Sequence, residues 1–108
     1  MILFRPEHVE PILSGKKTET RRIWGKQRVA IGSIQQAKLD KDMLKKNTYF
    51  AKLKILDVHK ERLADISIES ARREGVDSLE AFQKKWIEIN KEWIPYQEVY
   101  VIRFKVIT

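Results

Sequence analysis

The sequence contains no cysteine, only four glycines and three prolines, and no long apolar run. Without cysteine the chain cannot form disulfides, thiolate zinc sites or a cysteine nucleophile. A membrane span needs about 20 consecutive apolar residues, and the first residues lack the basic start and apolar stretch of a secretion signal. We therefore expect a cytoplasmic protein that does not enter membranes.

Glycine and proline are too sparse to form a flexible linker, and no repeat or low-complexity segment interrupts the chain. The 108 residues, 43% of them hydrophobic and 34% charged, can bury one core but not two. Only two histidines are available as imidazole ligands, so we expect no metal site, and nothing in the sequence calls for a cofactor. We expect one domain over residues 1–108.

The formal charge of +7 is distributed unevenly along the chain. Residues 1–60 carry 14 Lys and Arg against 6 Asp and Glu, whereas residues 61–108 carry 8 against 9. A basic half favours binding to an anionic polymer such as RNA, because binding releases counterions. Lysine-rich surfaces also keep small proteins soluble and occur in heat-adapted proteins, so charge alone leaves both interpretations open.

Apolar periodicity predicts short strands interrupted by helices. The predicted strands are 1–4, 18–24, 33–39, 49–58 and 99–106, the last with one buried face. Helices are predicted at 6–14 and at 67–74, the latter capped by Ser67 and ended by Gly75. A further helix is predicted after Asp77, which forms a capping-box pattern with Glu80. Residues 40–47 are expected to form a charged loop. The pattern predicts an α+β fold with a small, barrel-like sheet of five to six mainly antiparallel strands.

Residues 15–22, Gly-Lys-Lys-Thr-Glu-Thr-Arg-Arg, gather cations and hydroxyls where a predicted helix ends and a strand begins. A lysine beside an apolar wall can lose its proton and activate a nearby hydroxyl, as in serine–lysine hydrolases. Lys17 and Thr20 are the candidates for this chemistry. The alternative is a solvated cationic edge beside two good strand formers, and spacing alone favours the alternative.

Other polar and aromatic residues have simpler interpretations. Glu74, which follows two arginines, is by itself typical of a surface ion pair, and both histidines, His8 and His59, are predicted to be exposed. Trp86 falls on the apolar stripe of the last helix and is assigned to core packing. Trp24 lies beside the cationic motif and is the aromatic residue best placed to stack on a base.

Three ordered blocks together resemble an ASCH domain, a branch of the PUA-like superfamily. They are residues 15–22, the pair Glu74–Gly75 before the helix that starts near Ser78, and the closing segment 100–104, Tyr-Val-Ile-Arg-Phe. The resemblance spans nearly the whole chain. It implies a small open β-barrel with flanking short helices and a cleft lined by the lysine-bearing motif, in a superfamily associated with RNA and modified nucleosides.

The resemblance also implies roles for individual residues. The commonest ASCH motif has glutamate where this chain has Thr20, and the threonine form is similar to the N4-acetylcytidine amidohydrolases of the family. That similarity implies that Lys17 activates Thr20, that Glu74 transfers protons, and that Arg22 anchors the site. The residues expected to contact substrate or RNA are Lys16, Arg21, Arg22, Trp24, Lys26 and Arg28.

Two alternatives to an amidohydrolase remain open from the sequence. The first is a PUA-like module that binds RNA through the basic cluster without catalysis. The second is a partner-binding domain that uses the apolar patch at residues 93–96.

Overall fold

The computed structural model describes residues 1–107 and is built on one five-stranded sheet. The strands are β1 (Ile2–Phe4), β2 (Glu19–Arg22), β3 (Ile34–Leu39), β4 (Ala51–Arg62) and β5 (Glu98–Val106). They are ordered β1-β3-β4-β5-β2, and every pair is antiparallel except β1 with β3. The sheet curls into a half-barrel, so the predicted α+β fold with a small open barrel is confirmed.

Short helices flank the sheet. The α-helices are α1 (Val9–Leu13), α2 (Ile68–Arg73) and α3 (Leu79–Asn90), and 3₁₀ turns occupy Pro6–His8, Asp40–Asp42 and Leu63–Asp65. The predicted helix 6–14 is therefore a 3₁₀ turn followed by a short α-helix, and the loop 40–47 contains a turn. Within residues 1–107, no helix has the length and apolar character needed to cross a membrane.

Serine hydroxyls define the starts of α2 and α3. Ser67 accepts a hydrogen bond from the backbone N–H of Ser70, as the sequence predicted for α2. At α3 the N-cap is Ser78, which accepts from the N–H of Ala81. The predicted capping box that starts at Asp77 is therefore wrong by one residue, because the serine that follows caps equally well.

Strand β4 is longer than predicted and contains a bulge. Ile55 pairs with Phe104 but Asp57 pairs with Arg103, so Leu56 is the extra residue. Strict alternation would turn Val58 away from the face that holds Ile55, and the bulge returns it to that face. Both side chains are buried in the same core cluster. Strand β2, at an edge of the sheet, is shorter than the predicted 18–24.

The prediction that β5 has one buried face is wrong, because both faces are covered. Tyr100, Ile102 and Phe104 pack inside the curled sheet. Val99 and Val101, on the other face, pack in a second cluster formed with α2 and α3. That cluster also contains the buried side chains of Ala71, Phe82 and Trp86, so the assignment of Trp86 to packing is confirmed.

The two edge strands of the sheet, β1 and β2, face each other without pairing. Arg22 at the end of β2 places its guanidinium 4.8 Å from the ring centroid of Phe4 at the end of β1. This cation–π contact joins the two edges where backbone hydrogen bonds would otherwise close the barrel. The opening between the edges holds the candidate site described below.

Gly75 ends α2 and brings the following chain against the cationic motif. Its N–H donates to the carbonyl of Arg72 at 2.9 Å, and the N–H of Val76 donates to that of Ala71 at 3.1 Å, which is a Schellman motif. Its φ is +96°, and a Cβ added there would lie 3.4 Å from the Cβ of Lys17. That distance is an ordinary van der Waals contact, so it is the backbone conformation that favours glycine here.

Replacing Gly75 with alanine should destabilise the protein by about 1–2 kcal/mol, because an L side chain is strained at this positive φ. Equilibrium unfolding in urea measures the change. Gly25→Ala is the matched control, since its added Cβ has open space and its φ is not positive. The control should stay within about 0.5 kcal/mol of the parent, and equal effects of the two substitutions would contradict this account.

Candidate active site

Lys17 lies in the short connection between α1 and β2, where backbone bonds hold the chain. Its N–H donates to the carbonyl of Pro11 at 2.9 Å, and the N–H of Thr18 donates to that of Arg73 at 2.7 Å. The connection is thus tied to both α1 and α2. The side chain of Lys17 is only 3% exposed, so the solvated-edge interpretation is wrong for this residue.

The ammonium of Lys17 has three acceptors within hydrogen-bond distance. They are the carbonyl of Glu19 at 3.0 Å, the carbonyl of Glu74 at 3.2 Å and Oε1 of Glu74 at 2.8 Å. Burial lowers the pKa of Lys17, and the charge and hydrogen bond of Glu74 oppose that shift without cancelling it. The amine therefore loses its proton at a lower pH than an ordinary lysine.

Glu74 is the C-cap residue of α2, and its carboxylate is held by two cations. Oε1 accepts from Lys17, and Oε2 accepts from Nη1 of Arg21 at 3.1 Å. The side chain is 8% exposed, so the interpretation of Glu74 as a surface ion pair is wrong. Each oxygen of the carboxylate thus has a cationic partner, and Glu74 is one of the residues that line the cleft.

Thr20 and Arg22 share the opposite face of β2 from Glu19 and Arg21, because side chains alternate along a strand. Thr20 is buried, and its Oγ1 accepts a hydrogen bond from Nε of Arg22 at 3.3 Å. The Lys17 ammonium donates to Glu19 and Glu74 and makes no hydrogen bond to the Thr20 hydroxyl. Lys17, Thr20, Arg22 and Glu74 nevertheless all line one cleft.

This cleft has a volume of about 460 Å³, within the usual range for small-molecule sites. Its walls are the end of β1 with the following 3₁₀ turn, strand β2, the segment after α2 and one face of α3. Phe4, Phe82 and Trp86 supply aromatic surface, and Lys85 and Asn90 supply polar groups. The cleft can therefore accept a planar ligand with polar substituents.

The prediction that His8 is exposed is wrong. His8 is partly buried in the cleft wall, with its ring centroid 6.3 Å from that of Phe4. Burial, and next the charge of Lys17, lowers the pKa of His8 to about 4. The imidazole is therefore neutral at pH 7 and offers one donor and one acceptor to a ligand. Nothing in its local sequence distinguished it from a surface histidine.

Behind Glu74 lies a buried network centred on Glu19 and Arg21. Glu19 accepts from Nη1 of Arg21 at 2.7 Å, from Nε of Arg73 at 3.0 Å and from the hydroxyl of Ser70. Burial alone would raise the pKa of Glu19, but these hydrogen bonds lower it more. Sequence reasoning missed Glu19, since only the fold brings three donors from α2 and β2 to it.

The placement of Arg21 differs from the expected cationic edge. Its side chain is fully buried, and Nη2 donates to Glu61 at 2.9 Å and to Ser70 at 3.0 Å. Burial alone would lower the pKa of Arg21, but Glu74, Glu61 and Glu19 raise it on balance. A buried guanidinium with these partners has no free surface for an RNA phosphate, so the expected RNA contact does not fit this placement.

The remaining predicted contact residues lie outside the buried site. Lys16, Lys26 and Arg28 are exposed. Trp24 is partly buried against Tyr100, with ring centroids 5.8 Å apart, and the guanidinium of Arg28 lies 5.8 Å from its ring. Over the described part of the chain, no group of three or more His, Asp or Glu side chains could hold a metal ion.

His59 is exposed, as predicted. It lies between Asp57 and Glu61 on β4, with its Nδ1 2.7 Å from Asp57 and its Nε2 3.4 Å from Glu61.

No protein-family model and no curated protein matches this chain. Solved structures do match it. The ASCH domain from Lactobacillus crispatus JV V101 is 19% identical over 91% of this chain and 69% of its own, with a TM-score of 0.65. ASCH from Zymomonas mobilis is 11% identical over 96% of this chain and 64% of its own, with a TM-score of 0.66.

The hypothetical protein PH0355 is 18% identical over 98% of this chain and 96% of its own, with a TM-score of 0.68. The present chain therefore spans about two thirds of the two ASCH structures and nearly all of PH0355. Identities this low are evidence of a shared fold only. On the combined evidence of strand order, flanking helices and these matches, the chain has the ASCH fold.

Proposed function

We propose that this chain is an amidohydrolase that removes the acetyl group from the exocyclic amine of N4-acetylcytidine. One observation carries the proposal: a buried Lys17–Glu74 ion pair lies on a cleft that also contains Thr20. A base, a proton donor and a nucleophile are the three groups that acyl transfer needs. The choice of N4-acetylcytidine as the substrate is inferred from the resemblance of residues 15–22 to the amidohydrolase form of the motif.

The ion pair can supply both an acid and a base without a change in net charge. With Oε1 of Glu74 2.8 Å from Nζ of Lys17, one proton can move from the ammonium to the carboxylate. The products are a neutral amine, which is a base, and a carboxylic acid, which is a proton donor. The lowered pKa of Lys17 favours this exchange.

In the first half of the reaction, Oγ1 of Thr20 attacks the acetyl carbonyl carbon and its proton passes to the neutral amine of Lys17. The carbon–nitrogen bond then breaks, and the departing N4 amine takes the proton from Glu74. Cytidine leaves, and an acetyl ester remains on Thr20. Arg22, whose Nε donates to Oγ1, stabilises the negative charge that develops on this oxygen.

In the second half, a water molecule attacks the ester carbon and gives its proton to the carboxylate of Glu74. The bond to Oγ1 breaks, and the ammonium of Lys17 returns a proton to this oxygen. Acetic acid leaves, and both members of the pair regain their starting protonation. This cycle requires Nζ of Lys17 to exchange one of its three present acceptors for the Thr20 hydroxyl.

Thr20→Ala, Lys17→Ala and Glu74→Gln should each lower the kcat for cytidine release from N4-acetylcytidine by at least about 100-fold. Liquid chromatography of cytidine measures the rate. Thr48→Ala, which removes a hydroxyl bonded only to the backbone of a loop, is the matched control and should keep the parent rate. An inactive parent protein, or full activity in Thr20→Ala, would refute the proposal.

The rate should also depend on pH with a defined sign. The reaction needs the one proton that Lys17 and Glu74 share, because without it no acid remains to protonate the departing amine. The value of kcat/KM should therefore fall as the pH rises through the pKa of Lys17. Because burial lowers that pKa, the fall should begin below about pH 10.4, the value of an ordinary lysine. Initial rates from about pH 5 to 11 measure the profile, and a rate that keeps rising to the top of this range would contradict the assignment.

A second candidate function is RNA binding without catalysis. Its specific support is that every hydrogen of the Lys17 ammonium already has an acceptor, as in a purely structural ion pair. The exposed cations Lys16, Lys26 and Arg28 would then contact phosphates.

This second function predicts affinity for RNA that falls steeply with salt. Reversing Lys16, Lys26 and Arg28 to glutamate should reduce the slope of log K against log salt by about two, since each neutralised phosphate on a single strand contributes about 0.7. Fluorescence anisotropy with a labelled RNA measures this slope. Lys84→Glu, which changes an exposed charge on α3, is the control and should leave the slope unchanged. If the triple substitution also left the slope unchanged, the basic cluster would be excluded as the RNA-binding surface.

A further inference from the structure

We propose that Arg21 is a positioning residue that holds the carboxylate of Glu74 in the orientation that faces Lys17. The inference rests on the proposed function of the Lys17–Glu74 pair, and it assigns a role to a cation of the motif whose side chain is fully buried. Arg21 acts through Glu74 and does not itself touch the reacting atoms.

Three elements of the fold hold the guanidinium of Arg21. Glu19, on the same strand β2, accepts from Nη1 at 2.7 Å. Glu61 on β4 and Ser70 on α2 accept from Nη2 at 2.9 and 3.0 Å. The remaining contact of Nη1, at 3.1 Å, is with Oε2 of Glu74. Because the other three contacts fix both terminal nitrogens, the position of the fourth acceptor is fixed as well.

The third nitrogen of Arg21, Nε, has no hydrogen-bond partner. The guanidinium is therefore oriented by the contacts of its two terminal nitrogens and not so as to satisfy every donor. Nε is fully buried and is the one such side-chain atom within residues 1–107 without a hydrogen-bond partner. A buried donor left unpaired costs about 1–3 kcal/mol. The terminal nitrogens nevertheless keep four acceptors between them, so their contacts determine how the guanidinium lies. The ring of Phe82, 5.7 Å from the guanidinium carbon, packs against the group.

Fixing Oε2 determines what Oε1 can reach. A glutamate side chain at the end of a helix has several rotamers, and the carboxylate can rotate about its terminal bond. With Oε2 bonded to Arg21, Oε1 lies 2.8 Å from Nζ of Lys17. The proton exchange within the pair depends on this distance. A displacement near 1 Å in a catalytic group can cost about 100-fold in rate.

The same arginine-to-lysine substitution at two positions distinguishes positioning of Glu74 from a general loss of stability in the buried network. Arg21→Lys keeps the charge but loses the planar fork that reaches Glu74 and Glu61 together. Arg73→Lys is the matched control, because the side chain of Arg73 also donates to Glu19 and Ser70 but makes no hydrogen bond to the Glu74 carboxylate. The readouts are kcat and KM for N4-acetylcytidine, and the pKa of Lys17 followed by NMR of the labelled amine.

Arg21→Lys should lower kcat by about 10- to 100-fold with KM within about twofold, because the lost geometry matters only during the reaction. It should also lower the pKa of Lys17, since a released Glu74 no longer stabilises the ammonium. Arg73→Lys should leave both quantities unchanged. An unchanged kcat and Lys17 titration in Arg21→Lys, or equal losses in Arg73→Lys, would overturn the inference.

The NMR readout separates failure of this inference from failure of the proposed function. If the parent protein does not hydrolyse the substrate but Arg21→Lys lowers the pKa of Lys17, the function fails and the positioning role holds. If Arg21→Lys does not fold, Glu61→Ala replaces it, because Glu61 is partly exposed and the substitution removes the acceptor of Nη2 on the other side of the guanidinium. Parent values of both kcat and the Lys17 pKa in that variant would equally overturn the inference.

Discussion

The buried ion pair between Lys17 and Glu74 is the interaction on which the rest of the site depends. It joins residues 57 positions apart, and both side chains are more than nine-tenths buried. Removing two charges from water costs several kcal/mol per ion, so such a pair persists only with further hydrogen bonds. The backbone carbonyls of Glu19 and Glu74 and the guanidinium of Arg21 provide them.

The open sheet determines where that pair can meet a ligand. A closed barrel would pair β1 with β2 and leave no opening between them. Here the two edges are joined by the contact of Arg22 with Phe4, and the unpaired edges form two walls of the cleft. The helices after β4 cover the outer face of β5 and bring Glu74 to this opening. The cleft therefore follows from the strand order together with the placement of α2.

Much of the fold could be predicted from the sequence, because its signals are local. Short apolar or alternating segments marked all five strands, and Ser67 and Gly75 marked the ends of α2. The bulge at Leu56 and the second buried face of β5 were not predictable, since both depend on partners distant in sequence. Apolar alternation predicts which face of a strand is buried only when the other face is exposed to water.

The site was predictable in its members but not in its arrangement. The motif resemblance drew attention to Lys17, Thr20 and Glu74, and the structure brings all three to one cleft. Sequence could not distinguish Arg21, which is buried, from Lys16, which is exposed, because both are cations in the same octet. The burial of His8 was likewise invisible, since it arises from packing against Phe4 and the cleft wall.

The central claim is that Thr20 is the nucleophile served by the Lys17–Glu74 pair, and trapping its ester tests that claim most directly. N4-acetylcytidine would be mixed with the parent protein, the reaction quenched with acid during the first turnovers, and the protein digested and analysed by mass spectrometry. The account predicts an acetyl group on the peptide that contains Thr20, and no such group when Thr20→Ala protein is treated in the same way. Acetylation on Lys17 instead, or release of cytidine with Thr20 replaced, would contradict it.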